Sequence, residues 1–232
     1  MTDISRNFWA GVRSEIPLLI GVFPFGLIYG ALAINSGLPP LAAQLMSSIV
    51  FAGSSQFIAS QLFHESAPGP VIVLTIAVVN LRHMLYSASL APFVSRLSMG
   101  WKALLSYLLT DEAYAPTVLH YEKEGVTPAG HWFFLGAGLA LWTTWQVTTA
   151  LGILLGSAIP DSWSLDFALP LTFIAMVVPA LRNRPAVAAA LSAGVTALLA
   201  SPLPYQLGLI VAALVGIVVG TILEGKKGDS RL

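Results

Sequence analysis

Cysteine is missing from all 232 residues, which excludes disulfides, a thiolate nucleophile and a cysteine metal site and leaves the redox compartment open. Charge is almost as scarce. Eleven Lys and Arg balance eleven Asp and Glu, only 9% of the chain together, and a formal net charge of zero offers no basic surface for nucleic acid. Neither the Gly-x-x-x-x-Gly-Lys-Ser/Thr phosphate loop nor the Gly-x-Ser-x-Gly elbow of a hydrolase occurs, and nothing in the sequence calls for a cofactor or a metal. What fills the chain is apolar. Hydrophobic residues make up 56% of it, and several runs approach the roughly 20 residues that cross a hydrocarbon core. The expectation is an all-α polytopic membrane protein in the lipid bilayer, with one transmembrane domain over residues 1–232 and about eight (seven to eight) transmembrane or re-entrant helices.

Residues 71–94 are the stretch around which the rest is organised. They are long enough to span, yet carry Asn80, Arg82 and His83 near the middle. An arginine at that depth costs about 2.5–3.5 kcal/mol on insertion scales, so such residues usually face a partner, a cavity or a pathway. At about 100° per residue, Arg82, Tyr86 and Ser89 form one stripe and Asn80, His83 and Ser87 the next, with Leu81, Met84, Leu85 and Ala88 opposite. The polar half reads as the wall of a transport path, the alternative being an arginine that ties helices together.

The polar residues 1–15, with Arg6 and Arg13, precede a first span over residues 16–34, and this positive flank places the N-terminus in the cytoplasm. Ala31-Leu32-Ala33 resembles a signal-cleavage site, but the run is long for a signal core. Pro17 and Pro24 can bend this helix, and Gly26 and Gly30 form a packing face for another backbone. A second span, residues 41–63, has Ala52-Gly53-Ser54-Ser55-Gln56 at its middle. Two hydroxyls and an amide beside a glycine suit a discontinuous helix lining a cavity, or equally close packing by small residues. The fourth segment, residues 103–119, carries Asp111 and Glu112 side by side: counter-ions to Arg82, a proton-carrying group, or the tip of a segment that never fully crosses.

Loops at 64–70, with His64 and Glu65, and at 120–127 are expected to be solvated. A fifth span, residues 132–159, holds Trp142, Trp145 and Gln146 and ends in the packing pair Gly152 and Gly156; its aromatics are interface anchors or site lining. An acidic turn at 161–166, a sixth span at 167–181, a short alanine-rich segment at 186–200 and a last span at 205–223 complete the chain. Counting eight spans puts Arg6, Arg13, Lys123, Arg182, Arg184, Lys226, Lys227 and Arg231 inside, with both termini cytoplasmic and only Arg96 and Lys102 on the wrong side. A weak repeat at an offset of 126 relates Gly26 to Gly152, Gly30 to Gly156, Ser36 to Ser162, Ala42 to Ala168 and Leu45 to Leu171, suggesting halves at about 16–120 and 131–223.

Phe25-Gly26 with Tyr29-Gly30, the Ala52 to Gln56 core, Asn80-Leu81-Arg82-His83 with Tyr86, and Asp111-Glu112 together resemble the motif series of the AzlC family of branched-chain amino acid exporters, over essentially the whole chain. The resemblance implies efflux of neutral, mainly branched-chain amino acids across the bacterial cytoplasmic (inner) membrane, and a small AzlD-type membrane protein subunit as partner. The expected pathway residues are Arg82, Asn80, His83, Tyr86, Gln56, Ser54, Ser55, Asp111 and Glu112. Arg82 suits a substrate carboxylate and Asp111 or Glu112 its ammonium, and buried carboxylates with His83 suggest proton coupling. Faces at Gly152 and Gly156 and at Gly216 and Gly220 are places where the partner could pack. An ion or solute channel is the runner-up; a hydrolase pairing Ser54 or Ser55 with His83 has no supporting motif, and no enzyme activity is expected.

Overall fold

The computed structural model describes residues 3–156, 181, 183–203 and 207–229; helices and their connections make up these residues, with no strand among them. The turn at 161–166, nearly all of the sixth span, and Ser162, Ala168, Leu171 and Arg182 fall outside the described residues. The chain divides into two compact units, Met1–His64 with Ile76–Trp163, and Glu65–Thr75 with Ser164–Leu232.

The first unit is built on two long helices, α1 (Asp3–Asn35) and α8 (Gly130–Gly156). Gly11 faces Phe133 and Ala137, Gly26 faces Thr148, and Gly30 faces Thr149 and Gly152, so partner numbers rise together and the helices run parallel. A Cβ on Gly30 would stand 2.4 Å from the Thr149 carbonyl oxygen, and one on Gly152 would stand 2.2 Å from that of Leu27. Without a hydrophobic drive between helices in lipid, such backbone approach supplies the packing. Gly37, at φ +87°, ends α1 in a Schellman turn, with Leu38 N–H donating to the Ala33 carbonyl and Gly37 N–H to that of Ile34.

Between these two helices the chain is repeatedly broken. The second segment forms α2 (Pro40–Ile49) and α3 (Gly53–His64), parted at residues 50–52, where Phe51 takes a left-handed φ of +42°. Ala43 accepts from Tyr29 on the way in, Gly53 lies against Phe25 and Trp145 at the tip, and Phe63 lies beside Gly37 on the way out. This segment therefore enters and leaves by the same face, and the crossing expected over residues 41–63 is a re-entrant hairpin. The central span is α4 (Gly69–Val79) and α5 (Arg82–Val94), interrupted at Asn80 and Leu81 where a continuous helix was expected.

The fourth segment repeats the hairpin from the opposite face. It forms α6 (Met99–Tyr107) and α7 (Asp111–Glu124), with Trp101 against His131 and Trp132, Tyr107 bonded to Trp142 at depth, and Tyr121 back against Gly130. Asp111 belongs to a segment that does not cross. Helix α7 also runs through part of the loop expected at 120–127: Tyr121 is 2% exposed and His120 stacks on Phe133. Leu81, Met84, Leu85 and Ala88, opposite the polar stripes, are exposed. Among the described residues, three helical stretches, Asp3–Asn35, Gly69–Val94 and Gly130–Gly156, are long and apolar enough to cross a membrane.

The second unit pairs α9 (Arg184–Leu199), capped by the Asn183 side chain on the Ala186 N–H, with α10 (Leu207–Asp229). Gly216 meets Ala189 and Ala193, and Gly220 meets Ala189. Both glycine faces offered to a partner, at Gly152 and Gly156 and at Gly216 and Gly220, are thus covered from within the chain, Gly156 by Ala31.

Two measurements check this architecture. Gly30→Leu should lose about 1–3 kcal/mol or fail to fold by overpacking, whereas Gly21→Leu, with nothing near its Cβ, should melt like the parent. Single cysteines at Arg96 and Lys123, in a chain that has none, should label from one side of the membrane and those at Asn35 and His64 from the other; a crossing fourth segment would put Arg96 and Lys123 on opposite sides.

Candidate functional site

The two hairpin tips and the break in the central span meet. Helices α3, α5 and α7 all begin there, and α2, α4 and α6 all end there, so exposed N–H groups and exposed carbonyls gather at one depth. Arg82 is the first residue of α5, and its Nη2 donates to Ser54 Oγ of the first tip at 2.8 Å. It faces Asp111 of the second tip at 3.4 Å from Nη2 to Oδ1 and 3.5 Å from Nη1 to Oδ2. Both side chains keep 28% of their surface. These are long contacts for a charge-assisted fork, and Arg82 Nε is buried with no partner.

The pathway candidates divide by what they touch. Ser55 Oγ donates to Asn80 Oδ1 at 2.6 Å, tying the first tip to the central break. Asn80 lies in that break and not on a helical stripe. Gln56 Oε1 accepts the Ala52 N–H at 3.2 Å and the Trp145 Nε1–H at 3.1 Å, which closes the start of α3 and anchors it to α8. Asp111 and Glu112 occupy the first turn of α7, the end where the helix dipole favours acids, and Thr110 caps the Ala113 N–H. Tyr86 stacks on Tyr114 at 4.6 Å and Ser89 bonds the Tyr114 hydroxyl, so the stripe of Arg82, Tyr86 and Ser89 meets α7 along its length. His83 lies 6.0 Å from Tyr86, ring to ring, and its Nε2 has no partner. Gly26 and Gly30 pack on α8, against Thr148 and Trp145 and against Thr149 and Gly152.

A second polar belt was not singled out from sequence. Gln146 accepts from Gln44 and Ser48, each at 2.8 Å, and Ser47 bonds Thr149 at 2.9 Å. The Tyr107 hydroxyl caps the Ser48 carbonyl at the end of α2, and Trp142 donates to Tyr107 at 2.7 Å. Trp142 and Trp145 both hydrogen-bond within the chain, and Trp145 is buried. Glu15, read as part of a polar flank, is fully buried. Spacing on α1 could have flagged it, since it shares a helix face with Gly11, Val22, Gly26 and Tyr29, which are buried too.

Arg82 and Asp111 should be coupled. Arg82→Gln and Asp111→Asn should each lower the yield of folded protein, and the double variant should recover part of it, with a coupling of about 0.5–3 kcal/mol. Additive losses would mean that the two groups do not interact.

Known proteins resemble this chain in sequence. The AzlC protein family model matches residues 17–159. The chain is 32% identical to a membrane protein of Archaeoglobus fulgidus over 97% of each chain. It is 26% identical to the inner membrane protein YgaZ of Escherichia coli over 94% of this chain and 89% of that one. It is 27% identical to the branched-chain amino acid transport protein AzlC of Bacillus subtilis over 74% of this chain and 68% of the relative. No solved structure matches. A family match over more than half of the chain, joined to a relative aligned over nearly all of it, establishes that this polytopic membrane protein belongs to the AzlC family.

Proposed function

We propose that this chain is a secondary transporter that exports neutral, chiefly branched-chain, amino acids across the cytoplasmic membrane, driven by protons and working with a small AzlD-type subunit. The observation that carries the reading is Arg82 at the meeting point of three helix N-termini. A cation there sits at the wrong end of its own helix, beside two more positive helix ends, and Asp111 answers it only at 3.4–3.5 Å. A substrate carboxylate could take the free Nε and the N–H groups of the tips, as anions do at broken helices in other transporters. Its ammonium would face Asp111 or Glu112 and the carbonyl ends of α2 and α6, and Phe25, Phe57 and Trp145 supply apolar surface beside the first tip.

Charge distribution supports a cytoplasmic N-terminus. With the second and fourth segments re-entrant, Arg96, Lys102 and Lys123 lie at the face where α1 begins with Arg6 and Arg13, while the connections at the other face of this unit, around Gly37 and His64, carry no Lys or Arg. The two residues that an eight-crossing count misplaces fall into line. Relatives point the same way, since the Bacillus subtilis protein is named for branched-chain amino acid transport. Because the glycine faces are occupied internally, the outer apolar rows are left for the partner subunit.

Proteoliposomes preloaded with labelled leucine or valine test this. Efflux should need the chain and its partner together and should quicken with a pH gradient. Ionic current without counterflow would make the protein a channel and overturn the reading.

A further inference from the structure

The Arg82 site does not account for all the buried charge of the first unit. Glu15, on α1, has no exposed surface, and neither Oε1 nor Oε2 has a hydrogen-bond partner. The register of α1 on α8, Gly11 against Phe133 and Ala137 and Gly26 against Thr148, sets Glu15 near the level of Gly138, where Leu108 of the second hairpin tip packs. Four residues past Leu108 comes Glu112, in the first turn of α7, which packs against α1, and next to Asp111, the partner of Arg82.

Other titratable groups around Glu15 are few. Among the helices packed against α1, α2 has none, α3 has His64 at its far end, and α8 has His131 at its start. Helix α7 adds Asp111, Tyr114, His120, Tyr121 and the charged end at 122–124, and on α1 itself Arg13 is exposed.

Three carboxyls, Glu15, Asp111 and Glu112, thus share their surroundings with one guanidinium, Arg82. Two negative charges are left over, and a zwitterionic substrate, whose own charge is zero, leaves that sum unchanged. In an apolar interior an unpaired carboxylate is neutralised before it is tolerated. A metal ion would need several oxygen ligands, and Glu15 has no polar atom within bonding distance to complete such a shell.

We propose that Glu15 and Glu112 form a pair of neighbouring proton-binding carboxyls, the group through which transport is coupled to the proton gradient. The step makes and breaks one carboxyl O–H bond: a proton from water on one face is bound by the pair and is returned to water on the other, with no other bond changed. The buried hydroxyls of Thr117 and Tyr121 on α7 have no partners, and Tyr121 lines a cavity of about 210 Å³ with Arg96, Thr127 and His131 at the face where α1 begins, so polar groups lie between the pair and that face. The coupling role rests on the transporter reading; the protonation of the pair does not.

Infrared spectroscopy and flux measurement separate the two. Wild type in lipid at neutral pH should show the carbonyl stretch of a protonated, unbonded carboxyl, which Glu15→Gln removes or shifts. Its absence from wild type overturns the pair, as does its persistence unaltered in both Glu15→Gln and Glu112→Gln. In liposomes holding the chain together with its partner subunit and a trapped pH dye, wild type should move protons with leucine. Glu15→Gln, fixed as the neutral form, should keep leucine counterflow, in which no proton need leave, and lose leucine-driven proton movement. Proton movement equal to wild type, or a requirement for sodium in its place, refutes the coupling role. If wild type shows no counterflow at all, the transporter reading fails while the infrared result still decides the pair. Should Glu15→Gln not fold, the wild-type band and its response to Glu112→Gln decide.

Discussion

The contact of Arg82 with Ser54 and Asp111 is the interaction on which the first unit depends, because it joins three places where the backbone is broken inside an apolar layer. A helix that stops at mid-depth leaves N–H and carbonyl groups with no water to take them, and non-helical backbone persists there only when protein or a cavity satisfies it. Each break has its own answer. Gln56 takes the Ala52 N–H, Thr110 takes that of Ala113, and Tyr107 covers the Ser48 carbonyl. What remains is a concentration of positive helix ends with a cation among them. Phe51, held at a left-handed φ that an aromatic residue rarely adopts, is the local cost of turning the chain so tightly.

Much of this was legible in the chain. A lone arginine in an otherwise apolar span is expensive enough to announce a site, and helical geometry alone brought Arg82, Tyr86 and Ser89 to one stripe, the stripe that meets Asp111 and Tyr114. The small and polar run at residues 52–56 suited a discontinuous helix and close packing by small residues equally, and the helix breaks at its leading edge, residues 50–52. Hydropathy could not show that the second and fourth segments turn back. A hairpin of two short apolar helices has the same composition as one long crossing helix, and only its partners, Tyr29 and then Gly37 or Trp101 and then Gly130, reveal the reversal. Glu15 escaped notice for a related reason. It stands at the start of the apolar run, beside Arg13, where a carboxylate is ordinarily solvated, and α1 continues well beyond the run on its N-terminal side.

The glycines show the same limit from the other direction. Small residues every fourth position say that something approaches closely without saying what. At Gly26, Gly30, Gly152 and Gly156 the neighbour is the other long helix of the same chain, and the parallel register leaves no room for a second subunit along that seam.

Two kinds of restraint therefore coexist in the first unit. Along α1 and α8 the contacts are backbone against backbone, with a missing Cβ at each approach, and no such seam can slide without many contacts shifting together. At the centre, the tips are held to one another and to the central break by a few polar contacts, Ser54 to Arg82, Ser55 to Asn80, Tyr107 to the Ser48 carbonyl, and the long pair of Arg82 with Asp111. On the proposed transporter reading, a ligand bearing a carboxylate would compete for the same donors that latch the tips together. On that reading, binding and the closure of the centre would draw on one set of hydrogen bonds, while the frame that carries the tips draws on another, a separation by which a buried site would open without unpacking the helices that enclose it.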